Sequence, residues 1–90
     1  MSIKVNNFME ICVLEFLEDI LEHHPDVCKC KNCREDIAAY ALNQLQPKYT
    51  TTDLGHLYSK AATLDSQRRT DIFRAIAQGI QCVKDKPRHP

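Results

Sequence analysis

The residues best suited to chemistry in this chain are three cysteines within six positions, Cys28, Cys30 and Cys33. Lysine and arginine neighbours and a predicted helix start beside them both lower a thiol pKa, and this favours the thiolate that a metal ion requires. Thiolates select Zn²⁺ or iron–sulfur chemistry, and a closed tetrahedral site needs four ligands. The cluster therefore predicts a metal site that still lacks one ligand.

Two alternatives to metal binding remain open for these thiols. The Cys-x-x-Cys spacing of Cys30 and Cys33 also suits a redox pair, and the thiols could equally be unligated core residues. A thioredoxin-like redox site is disfavoured, because no strand–helix–strand pattern surrounds the motif. Metal binding is the favoured interpretation.

The fourth ligand must come from elsewhere in the chain. We predict Cys82, in the last turn of the last helix, over His23 and His24, which are typical of a solvated helix end. Cys12 is better read as a small buried hydrophobic residue. In a simple up-down bundle Cys82 and the cysteine loop lie at opposite ends. Ligation by Cys82 would therefore need fused last helices, another crossing, or a ligand from a partner subunit.

Helical periodicity predicts the elements that must hold this site. Apolar residues recur every three or four positions, which is typical of amphipathic helices. The predicted helices span 3–22, 33–45, a third segment capped by Thr51 or Thr52, and about 66–84. No Pro or Gly separates the last two, so the sequence leaves open whether they are one helix. We expect an all-α fold, a small bundle of about four helices.

The connections follow from local signals. Asn32 and Glu35 have the spacing of a capping box for the second helix. Residues 47–52 should be extended, because Pro and β-branched residues disfavour helix. Asp65 and Ser66 offer a new cap for the fourth helix.

Length and composition limit the possible functions. Ninety residues and 10.4 kDa make one domain, predicted over 1–85 with a disordered tail at 86–90, and they exclude a two-domain enzyme. A core this small gains from a metal or a partner chain. The apolar stripe of the first helix is wide enough to suggest that part of it meets another subunit. We therefore predict a homodimer.

The charges and the scarce glycines exclude further classes. Twelve basic and twelve acidic residues give no net charge, so stable binding to a nucleic-acid polymer is not expected. The zero net charge conceals an asymmetry, because residues 1–45 carry a net charge of −4 and residues 46–90 carry a net charge of +4. Two glycines leave no phosphate-cradling loop, and no catalytic constellation is visible, so no enzyme is predicted. Acidic residues interrupt the first apolar stretch, so no membrane segment is expected and the predicted compartment is the cytoplasm.

In sequence the chain resembles the late competence development (ComFB) family of bacteria. The resemblance rests on the Cys-x-Cys-x-x-Cys at 28–33 and on Asp-Ile-Ala-Ala-Tyr-Ala-Leu-Asn-Gln-Leu at 36–45. It continues through Pro-Lys-Tyr at 47–49 and Thr-Thr at 51–52. It implies a helical homodimer with structural zinc on cysteines, no catalysis, and a role in competence, motility or surface behaviour. Some relatives are receptors for cyclic dinucleotides, notably cyclic di-GMP.

A receptor of that kind needs cationic side chains for phosphates and planar groups for stacking on bases. The basic C-terminal half supplies suitable types, and on a two-fold axis each would occur twice, matching a two-fold ligand. The candidate ligand-binding residues are Lys48, Tyr49, Arg68, Arg69 and Arg74. The alternative is a protein–protein interaction adaptor with no small-molecule ligand.

Overall fold

The computed structural model describes residues 3–61 and 63–85, and the predicted tail at 86–90 lies outside them. Four helices account for most of this part of the chain, as predicted, but two short strands pair as well. The all-α prediction is therefore corrected to a mostly helical fold with a small two-stranded sheet. The elements are β1 (Asn6–Asn7), α1 (Phe8–Glu22), α2 (Lys31–Gln44), β2 (Tyr49–Thr50), α3 (Leu54–Ala61) and α4 (Ser66–Asp85).

The strands form where the chain enters α1 and where it leaves α2. They run antiparallel, with Asn6 opposite Thr50 and Asn7 opposite Tyr49. The expected extended segment after Pro47 therefore exists, and it uses part of the predicted first helix as its partner. For this reason α1 begins at Phe8, five residues later than the periodicity predicted.

The cap of α2 differs from the predicted Asn32–Glu35 box. Cys30 is the N-cap residue in extended conformation, and its sulfur accepts a hydrogen bond from the backbone N–H of Cys33 at 3.4 Å. A sulfur thus takes the acceptor role that an oxygen usually has at this position. Cys30 therefore belongs both to the N-cap of α2 and to the cysteine cluster.

The third and fourth helices are separate. Asp53, rather than Thr51 or Thr52, caps α3, since its Oδ1 accepts the backbone N–H of His56 at 3.1 Å. Asp65 caps α4 as predicted, because its Oδ1 accepts the N–H of Arg68 at 2.9 Å. Because each helix has its own N-cap, α3 and α4 are two helices and not one fused helix.

The core surrounds α1, which contacts α2, α3 and α4. The rings of Phe16 on α1 and Phe73 on α4 meet edge to face, with centroids 5.2 Å apart. The buried apolar side chains of α1 are Phe8, Ile11, Cys12, Val13, Leu17 and Leu21. Contacts within one chain therefore account for most of the wide apolar stripe. No helix within 3–61 and 63–85 is long and apolar enough to cross a bilayer.

The most extensive helix pair is α2 with α4. A Cβ at Gly79 would lie 3.0 Å from the backbone oxygen of Ile37, so glycine permits the close crossing. Beyond the crossing, Lys84 near the end of α4 forms an ion pair with Asp26 in the loop before the cysteines. The last turn of α4 therefore lies beside the cysteine loop, which a simple up-down bundle would not allow.

Candidate metal centre and basic groove

The three clustered cysteines converge as predicted. The sulfurs of Cys28, Cys30 and Cys33 all lie within 4.8 Å of one another. Cys28 is exposed, Cys30 is partly buried, and Cys33 is fully buried in the hydrophobic core. The cluster is thus anchored on the inside by the helix and open to solvent on the outside.

The two α2 cysteines differ in their electrostatic surroundings. Burial, followed by the neighbouring thiols, raises the pKa of Cys33 to about 12. The backbone N–H of Cys33, with a further hydrogen bond from Cys28, lowers the pKa of Cys30 to about 7. Of these two sulfurs, Cys30 therefore carries a negative charge more readily near neutral pH.

The donor set fits zinc. Sulfurs bound tetrahedrally at about 2.3 Å from zinc are about 3.8 Å apart, a separation that lies inside the observed limit. Three thiols that already face one point need only small side-chain rotations to reach that geometry. These residues can hold a thiolate-bound metal ion, whose chemistry would be structural if a fourth protein ligand closed the site.

The predicted fourth ligand is not part of this group. Cys82 is exposed on α4, and neither it nor His23 or His24 belongs to the cluster within the described part of the chain. The Nδ1 of His23 instead lies 2.9 Å from the backbone oxygen of Asp19. Cys12 is fully buried, as expected for a core residue, and burial raises its pKa to about 11.

A groove of about 580 Å³ runs along one face of α4. The α4 residues that line the groove are spaced three or four positions apart, so they lie on one face of the helix. The end of α2, the linker before β2 and the first turn of α1 form the remaining wall. The lining residues are Met9, Gln44, Leu45, Gln46, Pro47, Lys48, Arg68, Asp71, Arg74, Ala75 and Gln78.

The groove is basic, and its charges are incompletely neutralised. Within residues 3–61 and 63–85, neither Lys48 nor Arg74 forms a salt bridge, and Arg68 has only Asp65 at 3.9 Å. Asp71 is the acidic lining residue, and its Oδ1 accepts a hydrogen bond from a glutamine. Three cations therefore face the groove with little internal compensation.

The structure brings together three of the five candidate ligand residues. Lys48, Arg68 and Arg74 line the groove, although Lys48 is far in sequence from the two arginines. Tyr49 is exposed in β2 and Arg69 is exposed on α4, and neither lines it. The lining glutamines and Asp71 were not predicted from sequence, because isolated polar residues carry no spacing signal.

Asn7 connects two segments that line the groove. This role was not predicted from sequence either. Its Oδ1 accepts the backbone N–H of Met9 at 3.1 Å, which caps α1, and that of Lys48 at 2.9 Å. The N–H of Phe8 donates to the backbone oxygen of Lys48 at 2.7 Å, and the Lys48 ammonium lies 5.8 Å from the centroid of the Phe8 ring. One side chain thus joins two groove segments.

Replacing Asn7 with Ala should destabilise the protein and loosen the groove. The variant loses a helix cap and leaves the N–H of Lys48 without its acceptor, a loss of roughly 1–2 kcal/mol in the free energy of unfolding. Asn43→Ala, at an exposed position on α2, is the matched control and should change little. Equal urea midpoints for the two variants would contradict the role given to Asn7.

Comparison with known proteins agrees with this architecture. The family model described as late competence development protein ComFB matches residues 6–87. The competence protein ComFB of Bacillus subtilis (strain 168) is 30% identical over 81 residues, covering 90% of this chain and 83% of that protein. A solved structure of the late competence protein ComFB from Bacillus subtilis superposes with a TM-score of 0.78 at 29% identity, covering 93% of this chain and 94% of that one. The chain therefore belongs to the late competence development protein ComFB family.

Proposed function

We propose that this protein is a non-enzymatic regulator whose basic groove binds an anionic second messenger of the cyclic dinucleotide class, cyclic di-GMP in particular. The observation that carries the proposal is the set of three cations, Lys48, Arg68 and Arg74, converging on one groove with little internal pairing. Uncompensated cations on a concave surface favour an anionic ligand. The choice of a cyclic dinucleotide among anions rests on the resemblance to family members that act as such receptors.

The shape of the groove supports a small ligand over a polymer. Its volume of about 580 Å³ lies within the range of small-molecule sites. The zero net charge of the chain gives no extended field for a nucleic-acid polymer. Apolar lining residues such as Met9 and Pro47 offer surfaces for a base beside the cations that would hold phosphate.

We further propose a homodimer. Several large apolar side chains stay exposed in the described part of the chain, and a partner subunit would cover those that lie in its interface. They are Ile3, Val5, Leu14, Tyr49, Leu54, Tyr58 and Phe73. A two-fold dimer would also present each groove cation twice to a two-fold ligand.

The dimer has a direct test. Sedimentation equilibrium at micromolar concentration should give a mass twice the 10.4 kDa of the chain. A single species at the mass of one chain across that range would contradict it. The expected dimer does not depend on any ligand, so the measurement is made without nucleotide.

The cysteine cluster is proposed to hold one structural Zn²⁺, with Cys82 as the fourth ligand. Support for Cys82 comes from the ion pair of Lys84 with Asp26, which brings the last turn of α4 to the cysteine loop. Because Cys82 is exposed and outside the group of three, it reaches the metal after a rotation of that turn or from the partner subunit. A Cys82→Ser variant with undiminished zinc affinity would remove it from the set.

A thermal-shift screen with cyclic di-GMP, cyclic di-AMP and inorganic phosphate tests the proposed function. A ligand at 100 times its dissociation constant adds about 2.7 kcal/mol to the free energy of unfolding, which is roughly 10–20 °C for a domain of this size. Cyclic di-GMP should give that shift and phosphate a much smaller one. No shift with any of the three would favour the adaptor without a small-molecule ligand.

A further inference from the structure

We propose that Cys30 and Cys33 form a disulfide when a hydroperoxide oxidises the cluster, and that this disulfide and the bound metal exclude one another. The Cys-x-x-Cys spacing allowed a redox pair, but no feature of the sequence favoured one. The structure supplies two reasons. They are the position of the two thiols at the start of α2, and the proximity of the sulfurs combined with the exposure of the cluster on one side.

The first reason is the position of the two thiols on the helix. Cys30 is the N-cap of α2, and Cys33 is three residues further on. An N-cap side chain folds back over the third helical residue, and here the N–H of Cys33 donates to the sulfur of Cys30 at 3.4 Å. The Cys30 sulfur therefore already lies over the residue to which it would be joined.

The second reason is proximity combined with access. All three sulfurs are within 4.8 Å of one another, so a side-chain rotation can bring two of them to bonding distance. Cys30 is partly exposed and can meet a small oxidant, whereas Cys33 is buried and protected from it. Cys28 is exposed as well, but Cys30 is the accessible sulfur that lies over Cys33, so an oxidised Cys30 is the product that the protected Cys33 would resolve.

The reaction balances with hydrogen peroxide as the oxidant. The Cys30 thiolate attacks one peroxide oxygen, so that an S–O bond forms and the O–O bond breaks, giving a sulfenic acid and, after protonation of the leaving hydroxide, water. The Cys33 sulfur then attacks the sulfur of Cys30, forming the S–S bond and releasing a second water that carries the Cys33 proton. Two thiols are oxidised and one peroxide is reduced to two waters.

The consequence for the metal follows from the ligand count. A disulfide removes two of the four proposed thiolates, and Cys28 and Cys82 alone cannot hold zinc tightly. Oxidation should therefore release the metal and loosen the loop that leads into α2. The metal-release step rests on the proposed zinc site, whereas disulfide formation in the metal-free chain does not.

The test treats the full-length protein with hydrogen peroxide in metal-free and zinc-loaded forms. Intact mass spectrometry of the metal-free form should show a loss of 2 Da that dithiothreitol reverses, and peptide mapping should join Cys30 to Cys33. Cys28→Ser and Cys12→Ser should keep the 2 Da loss. Adding Cys33→Ser to the Cys28→Ser variant should abolish it and leave a sulfenic acid at Cys30 that dimedone traps.

The outcomes separate the two parts of the proposal. In the zinc-loaded form, a chromogenic chelator should detect one zinc released per chain at the rate of disulfide formation. A disulfide in the metal-free chain without zinc release from the loaded protein would overturn the exclusion. Oxidation to sulfinic acid with no disulfide, or a disulfide that is lost in Cys28→Ser, would overturn the pairing of Cys30 with Cys33.

Discussion

Replacing Cys28 with Ser should reduce the zinc content of the purified protein from one ion per chain to a trace. The sulfurs of Cys28, Cys30 and Cys33 converge on one point, so the loss of one thiolate leaves at most two of the group. Free zinc at about 1,000 times its dissociation constant adds about 4.1 kcal/mol to the free energy of unfolding. The variant should therefore melt roughly 15–30 °C below the wild type.

Lys31→Ser is the matched control for this change. Lys31 lies between two of the cysteines, is exposed, and forms only a surface ion pair with Glu35 at 3.8 Å, so its loss should alter stability little. Far-UV circular dichroism should show that Cys28→Ser keeps its helices, because the core around α1 does not depend on this exposed residue. Equal metal content in Cys28→Ser and Lys31→Ser would exclude the cluster as the zinc site.

Replacing Arg74 with Ala should remove most of the stabilisation that cyclic di-GMP confers. Arg74 lines the groove and has no salt bridge among the described residues, so its guanidinium is available to a phosphate. A charge-assisted hydrogen bond contributes about 1.5–3 kcal/mol, and its loss would weaken binding roughly 10- to 150-fold. With binding about 100-fold weaker, the nucleotide stabilisation falls from about 2.7 to about 0.4 kcal/mol.

Lys60→Ala controls for the loss of one positive charge. Lys60 lies on α3, is exposed, and does not line the groove. Its variant should respond to nucleotide as the wild type does, because a charge outside the groove is screened by salt. If Lys60→Ala and Arg74→Ala lose the same stabilisation, the ligand is held by general charge and not by this groove.

Much of the fold could be predicted because helical periodicity and caps are local signals. The fourth helix and its cap at Asp65 follow from spacing within a few residues. The late start of α1 does not, because it depends on pairing Asn7 with Tyr49, which is 42 positions away. The Cys30 cap was also missed, since a sulfur rarely takes the place of an oxygen acceptor.

The same distinction holds for the two sites. Three thiols within six residues converge almost regardless of the surrounding fold, so the cysteine cluster could be predicted from sequence. The groove depends on how α4 packs against the linker after α2, and no local pattern unites Lys48 with Arg74. The position of Cys82 relative to the cysteine cluster could not be predicted, because it depends on how α4 crosses α2 at Gly79 and on which side of α4 carries Cys82.

The groove as an anion-binding site is tested most directly by isothermal titration calorimetry of the wild-type protein, supplied with zinc, with cyclic di-GMP at low and high salt. Groove cations that meet phosphates should give saturable binding that weakens as salt rises, because charge-assisted contacts are screened. Cyclic di-AMP and inorganic phosphate, titrated in the same way, set the specificity. Saturable, salt-sensitive binding of cyclic di-GMP is the predicted result. A folded, dimeric, zinc-containing protein that binds no cyclic di-GMP at millimolar concentration would contradict the account.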